Sequence, residues 1–271
     1  MHDPDMRTDA RSPEDEDFYR FVADIRKSTS IDLSQYKENQ MRRRLTTLRM
    51  KHGHATFASY YRALMSDGKL LEEFLDRMTI NVSEFWRNPN RWHLLNERYL
   101  MPMARSAGRL QIWSAACSTG EEPYTLAMML DALGALERAT IHATDIDDNV
   151  LARAKEGCYG ERAVQEVPPS FLSRYFERSK ESYRVIDKLR KAVRFQKQNL
   201  LLDPFQSNYD LIVCRNVMIY FTDEAKKGLY HKFAQALKPG GMLFVGSTEQ
   251  IFSPGQFGLE AADTFFYRRL P

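Results

Sequence analysis

The sequence predicts an α/β fold, with a parallel sheet covered by helices on both faces, an all-α domain before the sheet and a small antiparallel insertion within it. From Leu110 onward, short apolar runs alternate with amphipathic helical segments, which is the pattern of a parallel sheet whose strands are joined by helices. Between Asp15 and about Leu75, apolar residues recur at helical spacing. Between Tyr159 and Gln198, a charged segment with a Pro-Pro pair interrupts the alternation, and we interpret it as an inserted β-subdomain.

The composition is that of a globular protein and excludes several other classes. The 271 residues are 43% hydrophobic and 28% charged, unlike a disordered, collagen-like or coiled-coil chain. No apolar run approaches the roughly 20 residues of a membrane-spanning helix, and the polar, acidic start lacks the apolar core of a signal peptide. Three scattered cysteines are too few for a disulfide framework or a zinc site. We therefore expect a cytoplasmic protein without a metal.

The segments before the sheet predict a tail, a helical domain and a linker. Residues 1–14 are rich in Asp and Pro without an apolar period, which is typical of disorder. Residues 15–80 predict a helical domain, because apolar side chains recur at i, i+3, i+4 and i+7. Asn81–Arg91 breaks this pattern, Trp92–Ala104 has the pattern of a further helix, and residues 81–105 together are predicted to be a linker. The sheet domain follows over 106–271, with its insertion at about 159–198.

The elements of the sheet domain are predicted from runs of strand and helix character. The predicted strands are Leu110–Ala115, Thr140–Thr144, Tyr209–Cys214, Met242–Gly246 and Thr264–Arg269. The predicted helices are Thr125–Leu136, Asn149–Glu156 and Glu224–Leu237. Within the insertion, Tyr183–Ile186 and Ala192–Gln196 have strand character, and Ile186–Arg190 is predicted to be a short charged loop.

The turn after the first strand indicates a nucleotide-like ligand that lacks phosphate. Ligands of α/β folds bind at the carboxyl ends of the strands. This turn has a single glycine, Gly120, and two carboxylates, Glu121 and Glu122, which would repel a pyrophosphate. S-adenosylmethionine carries a sulfonium and an ammonium group and suits such a turn. The alternative is that the acids only stabilise the start of a solvated helix.

An acidic residue ends the second predicted strand. Asp145 lies 25 residues after Gly120, close to the spacing at which a strand-tip carboxylate accepts hydrogen bonds from ribose hydroxyls. Asp147 and Asp148 follow, and for them capping of the next helix is the better interpretation. For Asp145 we favour the ribose.

The third strand leads into a second group of candidate residues. Arg215 could pair with an acidic substrate, Asn216 could bind an adenine edge or an amino-acid backbone, and Tyr220 could lie against a cationic reacting centre. For an aromatic residue after a strand, core packing remains the alternative.

Several strings resemble the chemotaxis receptor methyltransferase family, CheR. They are WSAACSTGEEPY at Trp113–Tyr124, ATDID at Ala143–Asp147, CRNVMIYF at Cys214–Phe221 and LKPGG at Leu237–Gly241. The linker string NVSEFWR at Asn81–Arg87 is similar to the family's N-x-T/S-x-F-F-R motif, with Trp86 in place of the usual Phe. The resemblance covers about residues 15–270 in order.

The resemblance implies a Rossmann-like, S-adenosylmethionine-dependent methyltransferase sheet. It implies transfer of methyl groups to glutamate side chains of chemoreceptors in chemotaxis adaptation, with S-adenosylhomocysteine as the product. Arg215 and Tyr220 would lie beside the transferred methyl, and Arg87 and Arg215 would dock the substrate carboxylate or organise the pocket. By motif, the cofactor-binding residues would be Asn81, Ser83, Arg87, Glu121, Asp145, Asn199, Leu200, Asn216 and Val217.

The helical domain contains the densest positive charge of the chain. Lys37–Lys51 holds six basic residues and one acid, and it is similar to the family's basic helix. The resemblance implies docking on the cytoplasmic helical bundle of chemoreceptors, through Arg42, Arg43, Arg44 and Arg49. For any single arginine, a solvated helix face is the alternative. We expect a monomer that is recruited to membrane-bound receptor arrays, without membrane insertion and without a nucleic-acid partner.

One family feature is absent from the insertion. Some members bind a C-terminal receptor pentapeptide through a glycine-rich loop of the β-subdomain, whereas Phe176–Phe195 contains no glycine. The chain therefore resembles members that do not depend on the pentapeptide.

Two other functions remain open from the sequence. One is an S-adenosylmethionine-dependent methyltransferase that acts on RNA or a small molecule, although no added RNA-binding module is visible. The other is a non-catalytic signalling adaptor that keeps the fold. A dehydrogenase is disfavoured, because the glycine fingerprint of dinucleotide binding is absent.

Overall fold

The structure, a computed structural model, describes residues 12–29, 31–78, 83–106 and 108–271. The chain forms two compact units. Unit 1 is Met1–Met78 together with Tyr220–Thr222, and unit 2 is Thr79–Ile219 together with Asp223–Pro271.

Unit 1 is helical in its described residues. Its helices are α1 (Pro13–Thr29), α2 (Glu38–Lys51), α3 (Phe57–Ser66) and α4 (Gly68–Met78). The predicted helical periodicity corresponds to one buried face per helix, as shown by the fully enclosed side chains of Ile25, Leu45, Tyr60 and Phe74. Helix α1 begins at Pro13, so the predicted tail extended two residues too far at its end, and residues 1–11 of that tail lie outside the described residues. Proline is well tolerated in the first turn of a helix.

The segment Tyr220–Thr222 belongs to unit 1 through backbone hydrogen bonds. The Lys37 N–H donates to the Tyr220 carbonyl at 2.9 Å, and the Thr222 N–H donates to the Gln35 carbonyl at 2.8 Å. These bonds attach the segment to the turn just before α2.

Unit 2 is built on a seven-stranded sheet of order β6-β2-β1-β7-β8-β10-β9. The strands β6, β2, β1, β7 and β8 are parallel, and β10 and β9 complete the sheet in antiparallel fashion. Their bounds are β1 (Leu110–Ala115), β2 (Ala139–Asp145), β6 (Val193–Lys197), β7 (Tyr209–Cys214), β8 (Leu237–Val245), β9 (Leu259–Asp263) and β10 (Phe266–Arg269).

The register brings the carboxyl ends of the central strands to one edge. Ala115, the last residue of β1, pairs with Thr144 of β2 and with Cys214 of β7. Since β1 lies between β2 and β7, the strand order reverses at β1. This is the switch point at which α/β sheets bind ligands.

Helices connect the strands of unit 2. They are α5 (Pro89–Leu95), which continues through a π-helical turn at Asn96–Leu100 into α6 (Met101–Arg105), then α7 (Glu121–Ala132), α8 (Asp148–Glu156), α9 (Pro169–Tyr175), α10 (Asp187–Ala192) and α11 (Asp223–Ala236). Helix α7 begins at Glu121, four residues earlier than predicted. Acids are favoured at a helix start and Pro123 is tolerated there, so these residues belong to the helix rather than to the loop.

The insertion is smaller than the sequence predicted. A three-stranded antiparallel sheet of order β3-β5-β4 consists of β3 (Cys158–Tyr159), β4 (Phe176–Arg178) and β5 (Tyr183–Val185). The predicted strand at Ala192–Gln196 is β6, which pairs in parallel with β2 and so extends the main sheet instead. The predicted loop at Ile186–Arg190 is largely α10, and Ser179–Ser182 is the connection between two neighbouring antiparallel strands.

Candidate functional site

The turn between β1 and α7 has an unusual backbone. Ala116, Ser118 and Gly120 all have positive φ angles, of 58°, 49° and 93°. A side chain at Gly120 would place its Cβ 2.9 Å from the Cβ of Ala154. The turn therefore needs glycine at this position, and it is held in a conformation that L-residues rarely adopt.

Asp145 lies at the end of β2, directly beside this turn. One carboxylate oxygen, Oδ2, accepts the Ser118 N–H at 2.8 Å, and Oδ1 accepts the Asp147 N–H at 3.1 Å. The side chain is only 7% exposed, and burial raises the pKa of Asp145 to about 6. The carboxylate is thus fixed by backbone donors while each oxygen keeps capacity for another hydrogen bond.

An unsatisfied hydroxyl lies in the same turn. The Oγ of Ser118 is buried and finds no hydrogen-bond partner among the described residues. Buried polar atoms are nearly always paired. The orphaned hydroxyl next to Asp145 is consistent with a polar ligand in this turn.

Glu121 begins α7 and is almost fully buried. Both of its carboxylate oxygens lie 2.8 Å from the Thr119 hydroxyl, and the Ser83 hydroxyl also bonds to it. Burial raises the pKa of Glu121. The residue therefore joins the linker, through Ser83, to the turn after β1.

A cavity of about 400 Å³ opens beside Glu121. Both Ser83 and Glu121 line it, together with Thr119, Tyr159, Arg153 and Arg162. The Tyr159 hydroxyl donates to the Thr119 carbonyl at 2.7 Å, which keeps this wall of the cavity in place.

Arg215 follows β7 and is enclosed rather than presented to solvent. Its guanidinium donates to the Arg87 carbonyl at 2.8 Å and to the Asn88 Oδ1 at 3.1 Å. The side chain is 3% exposed, and Nη1 lies 3.7 Å from Glu122 Oε2. Its contacts thus stabilise the Arg87–Asn88 turn, in which Asn88 has a positive φ of 63°. Of the two roles predicted for Arg215, docking of the substrate carboxylate or organisation of the pocket, this geometry favours the second.

Glu122 is the acidic partner of this arginine. The Ser114 hydroxyl donates to its Oε1 at 2.8 Å, and burial raises the pKa of Glu122 to about 7. Together with Glu121 and Asp145, it forms a group of buried carboxylates whose ionised forms are disfavoured by desolvation. A bound cation would offset that cost, which agrees with a cationic ligand.

The turn after β7 contains Asn216 and Val217. Asn216 has a positive φ of 60°, and its N–H donates to the Oε2 of Glu249 at 2.7 Å. Sequence reasoning missed Glu249, which follows β8 and is 5% exposed. Its place after a strand tip, like that of Asp145, was the signal that could have identified it.

Asn199 and Leu200 lie in a tight turn after β6. The Asn199 Oδ1 accepts the Leu201 N–H at 3.0 Å. The ammonium group of Lys232 donates to the carbonyls of Leu200 and Asp203, at 2.7 and 2.8 Å. Lys232 was not predicted, because nothing in a helical sequence shows which turn its side chain reaches.

Asn81 was predicted to bind the cofactor, and it lies outside the described residues. Within unit 2, the structure connects three groups of the predicted residues by hydrogen bonds or ion pairs. Ser83 bonds to Glu121, Arg215 bonds to the Arg87 carbonyl, and Asp145 binds the turn after β1.

The predicted docking arginines on α2 differ in exposure. Arg42 is paired with Asp15 and Glu38 and lies over the ring of Phe18. Arg43 is exposed, and the Arg44 guanidinium lies 5.7 Å from the centre of the Tyr220 ring, within unit 1.

Arg49 does not belong to an exposed basic surface. It is 8% exposed, donates to the Ala55 carbonyl at 2.8 Å and stacks on Phe57. The prediction of a docking role is wrong for this residue, because its position on α2 faces the helical core rather than solvent.

The described residues hold neither a cluster of metal ligands nor a membrane-spanning helix. No group of three or more His, Cys, Asp and Glu side chains there is arranged to hold a metal ion. In the same residues, no helix has both the length and the apolar character needed to cross a membrane.

The fold and the site define a class of protein. A ligand site at the switch point of a largely parallel sheet, with a strained turn after β1 and a buried carboxylate after β2, is that of an α/β protein that binds a nucleoside cofactor. The absence of a glycine-rich phosphate turn and the buried carboxylates distinguish it from a dinucleotide enzyme.

Comparison with known proteins specifies the family. Residues 81–266 match the CheR methyltransferase SAM-binding domain, and residues 16–79 match the CheR methyltransferase all-alpha domain. The chain belongs to the CheR methyltransferase family, and it is an S-adenosylmethionine-dependent methyltransferase of chemotaxis.

Relatives of known name align over most of the chain. The chemotaxis protein methyltransferase of Listeria monocytogenes is 41% identical over 254 residues, which cover 93% of this chain and 97% of the relative. The chemotaxis protein methyltransferase of Escherichia coli is 34% identical over 247 residues, covering 88% and 85%. Among solved structures, an amino pentose methyltransferase of Micromonospora echinaspora with bound S-adenosylmethionine aligns with a TM-score of 0.35 and 14% identity, over 58% of this chain and 49% of that chain.

Proposed function

We propose that the protein methylates glutamate side-chain carboxylates of chemoreceptors and thereby forms glutamyl methyl esters in chemotaxis adaptation. The observation that carries the proposal is the presence of both family domains, all-α and SAM-binding, in order along one chain. Relatives named chemotaxis protein methyltransferase support the same function.

Methylation of a carboxylate does not require the enzyme to supply a strong general base. S-adenosylmethionine supplies a methyl group on a sulfonium sulfur and is released as S-adenosylhomocysteine. A substrate glutamate, with an ordinary pKa near 4.3, is already a nucleophilic carboxylate at neutral pH. The residues of this chain must therefore align the carboxylate with the methyl group and exclude water.

The cofactor site is proposed at the carboxyl edge of the sheet. Asp145 would bind the ribose hydroxyls with its fixed carboxylate, and the buried carboxylate of Glu121 would face the positive end of the cofactor. The orphaned Ser118 hydroxyl and the disfavoured ionisation of the carboxylates support a polar, cationic ligand here. The other proposed cofactor-binding residues are Asn81, Ser83, Arg87, Asn199, Leu200, Asn216 and Val217.

Arg215 and Tyr220 are proposed to act in different ways. The Arg215 guanidinium would position Arg87, because its hydrogen bonds go to the backbone and side chain of the Arg87–Asn88 turn. Tyr220 would contact the reacting centre, where an aromatic face stabilises positive charge. Substrate carboxylate docking is then proposed for Arg87 alone.

Receptor docking is proposed for the exposed side of α2. Arg43 is the clearest candidate, since Arg42 is already paired with two carboxylates and Arg49 is buried. Arg44, half-buried beside Tyr220, would take part at the edge of the surface. We propose a cytoplasmic monomer that is recruited to membrane-bound receptor arrays.

Independence from the receptor pentapeptide is also proposed. The connection Ser179–Ser182 between β4 and β5 contains no glycine and is closed by a hydrogen bond from the Ser179 N–H to the Ser182 carbonyl at 2.8 Å. Equal methylation rates on receptors with and without the C-terminal pentapeptide are expected. A large loss on its removal would contradict this part of the proposal.

The main experiment is methyl transfer from tritiated S-adenosylmethionine to receptor-containing membranes. We expect label on the receptor that mild base releases as methanol, which is the behaviour of a carboxyl methyl ester. The matched control is the same receptor with its methylation-site glutamates replaced by alanine, which should remain unlabelled. Label on RNA would indicate the alternative substrate class, and no transfer to any substrate by cofactor-loaded protein would indicate an adaptor.

A further inference from the structure

Glu249 is a buried acidic residue for which the chemistry proposed above gives no role. It follows β8, is 5% exposed, and directs its carboxylate back into the protein. Oε2 accepts the N–H groups of Asn216 and Gly246 at 2.7 and 2.8 Å, and Oε1 accepts the Ile219 N–H at 3.2 Å. The Met218 N–H bonds to the same carboxylate.

These donors belong to the two strand tips that border the site. Asn216, Met218 and Ile219 form the turn after β7, and Gly246 is the first residue after β8. Glu249 therefore joins two neighbouring tips through a single carboxylate, as Asp145 joins the tips of β1 and β2. Hydrogen bonds from several amides to one ionised group are short and strong, so they hold the donors at defined positions.

The backbone of Gly246 packs closely against Glu249 and Asn216. A Cβ on Gly246 would lie 2.5 Å from the Glu249 Oε2 and 2.8 Å from the Asn216 nitrogen. Asn216 is itself held in a left-handed conformation, with φ of 60°. An amide or a shorter acid at position 249 would leave at least one of these buried N–H groups without an acceptor.

We propose that Glu249 is a positioning residue of the methyltransferase, whose carboxylate sets the conformation of the turn after β7 and thereby the cofactor contacts of Asn216. This inference rests on the proposed role of Asn216 in cofactor binding. It does not depend on the identity of the methyl acceptor, because it is tested by cofactor binding alone.

The experiment is a double-mutant cycle on affinity for S-adenosylhomocysteine, measured by calorimetry. Glu249→Gln keeps the size of the side chain and replaces one acceptor oxygen by a donor. Asn216→Gly removes the second side chain while allowing the left-handed backbone. If Glu249 acts through Asn216, Glu249→Gln should weaken binding at least about tenfold in the natural background and no more than about threefold in the Asn216→Gly background.

The control is Glu224→Gln on α11, which removes a carboxylate whose side chain is 83% exposed. It should leave affinity and melting temperature unchanged. If Glu249 only stabilises the fold, Glu249→Gln should lower the melting temperature, and its effect on affinity should be the same with and without Asn216→Gly. Equal losses in both backgrounds, or unchanged affinity in a folded Glu249→Gln protein, would overturn the proposal.

If Glu249→Gln does not fold, two other measurements test the proposal: the same cycle with Glu249→Asp, and hydrogen exchange in the natural protein. The aspartate variant retains the charge with a shorter reach, and the same non-additivity with Asn216→Gly is expected. In the natural protein, the amides of Asn216 and Gly246 should be protected from hydrogen exchange even without cofactor. Exchange at the rate of exposed loop amides would refute the proposed arrangement. If Asn216→Gly alone leaves affinity unchanged, the proposed cofactor contact of Asn216 fails, whatever Glu249 does.

Discussion

Replacing Asp145 by asparagine isolates the charge of the carboxylate proposed to bind the ribose. The amide has nearly the same shape, and its oxygen can still accept a backbone N–H, whereas the carboxylate now accepts those of Ser118, Asp147 and Ile146. The variant therefore loses the charge and one acceptor. A hydrogen bond to a charged group contributes about 1.5–3 kcal/mol, so affinity for S-adenosylhomocysteine should fall roughly 10- to 150-fold.

The pH dependence gives this prediction a second, independent result. The pKa of Asp145 in the folded protein is about 6, so at about pH 5 roughly nine-tenths of the carboxyl groups are protonated before ligand binds. Natural protein should then bind S-adenosylhomocysteine about tenfold more weakly at pH 5 than at pH 8, and the asparagine variant should lack this share of the change.

The free energy of unfolding of the ligand-free protein should change with pH in the opposite direction to the affinity for S-adenosylhomocysteine. The folded-state pKa of Asp145 lies above its ordinary value of 3.8, so the folded state binds the proton more tightly than the unfolded state. Ionisation therefore lowers the free energy of unfolding as pH rises from about 4 to about 6, by about 3 kcal/mol for a shift of this size. The difference in melting temperature, ligand-free Asp145→Asn variant minus natural protein, should therefore be more positive at pH 7 than at pH 4.5.

Titration calorimetry and thermal unfolding across this pH range test both results. The matched control is Asp148→Asn, three residues after Asp145, which removes an exposed carboxylate that is paired with Lys197. It should leave both affinity and its pH dependence unchanged. Unaltered affinity in a folded Asp145→Asn protein, or natural affinity that is the same at pH 5 and pH 8, would refute the ribose assignment.

Five further variants have distinct expected outcomes. Arg215→Lys keeps the charge but loses the planar guanidinium fork that holds the Arg87–Asn88 turn, so affinity for S-adenosylhomocysteine should fall about tenfold and the receptor KM should rise, because both proposed contacts of Arg87 shift; unchanged values of both would contradict the positioning role. Tyr220→Leu removes the aromatic face and should lower single-turnover methylation without altering cofactor affinity, and natural turnover at saturating substrates would exclude the proposed contact with the reacting centre. Arg43→Glu should raise the receptor KM more at low salt than at high salt, because exposed charges are screened, whereas the same change at the buried Arg49 should unfold the helical unit; a salt-independent KM for Arg43→Glu would leave α2 as a solvated face. Gly120→Ala should lower the melting temperature through a cost of about 1–3 kcal/mol for a strained left-handed alanine, and an unchanged melting temperature would show that the turn relaxes.

Much of the fold could be predicted from sequence because it depends on local patterns. Helical spacing of apolar residues identified the helical unit, and short apolar runs identified β1, β2 and β7 close to their observed bounds. The predicted site residues at these strand tips follow from the same pattern, since the carboxyl ends of parallel strands meet at one edge. The match to the CheR family then followed from long strings of residues in order.

The tertiary structure decided what depends on contacts between distant residues. The pattern of β6 is that of any strand, and only its pairing with β2 places it in the main sheet rather than in the insertion. From sequence alone, an arginine on a helix is expected to be solvated or to dock a partner. The structure instead buries Arg49 against Phe57 and the Ala55 carbonyl. Glu249 lies 33 residues from Asn216 in sequence, and no periodicity connects them. Sequence patterns record the periodic burial of an element, whereas hydrogen bonds between strand tips arise only when the sheet brings those tips within about 3 Å of one carboxylate.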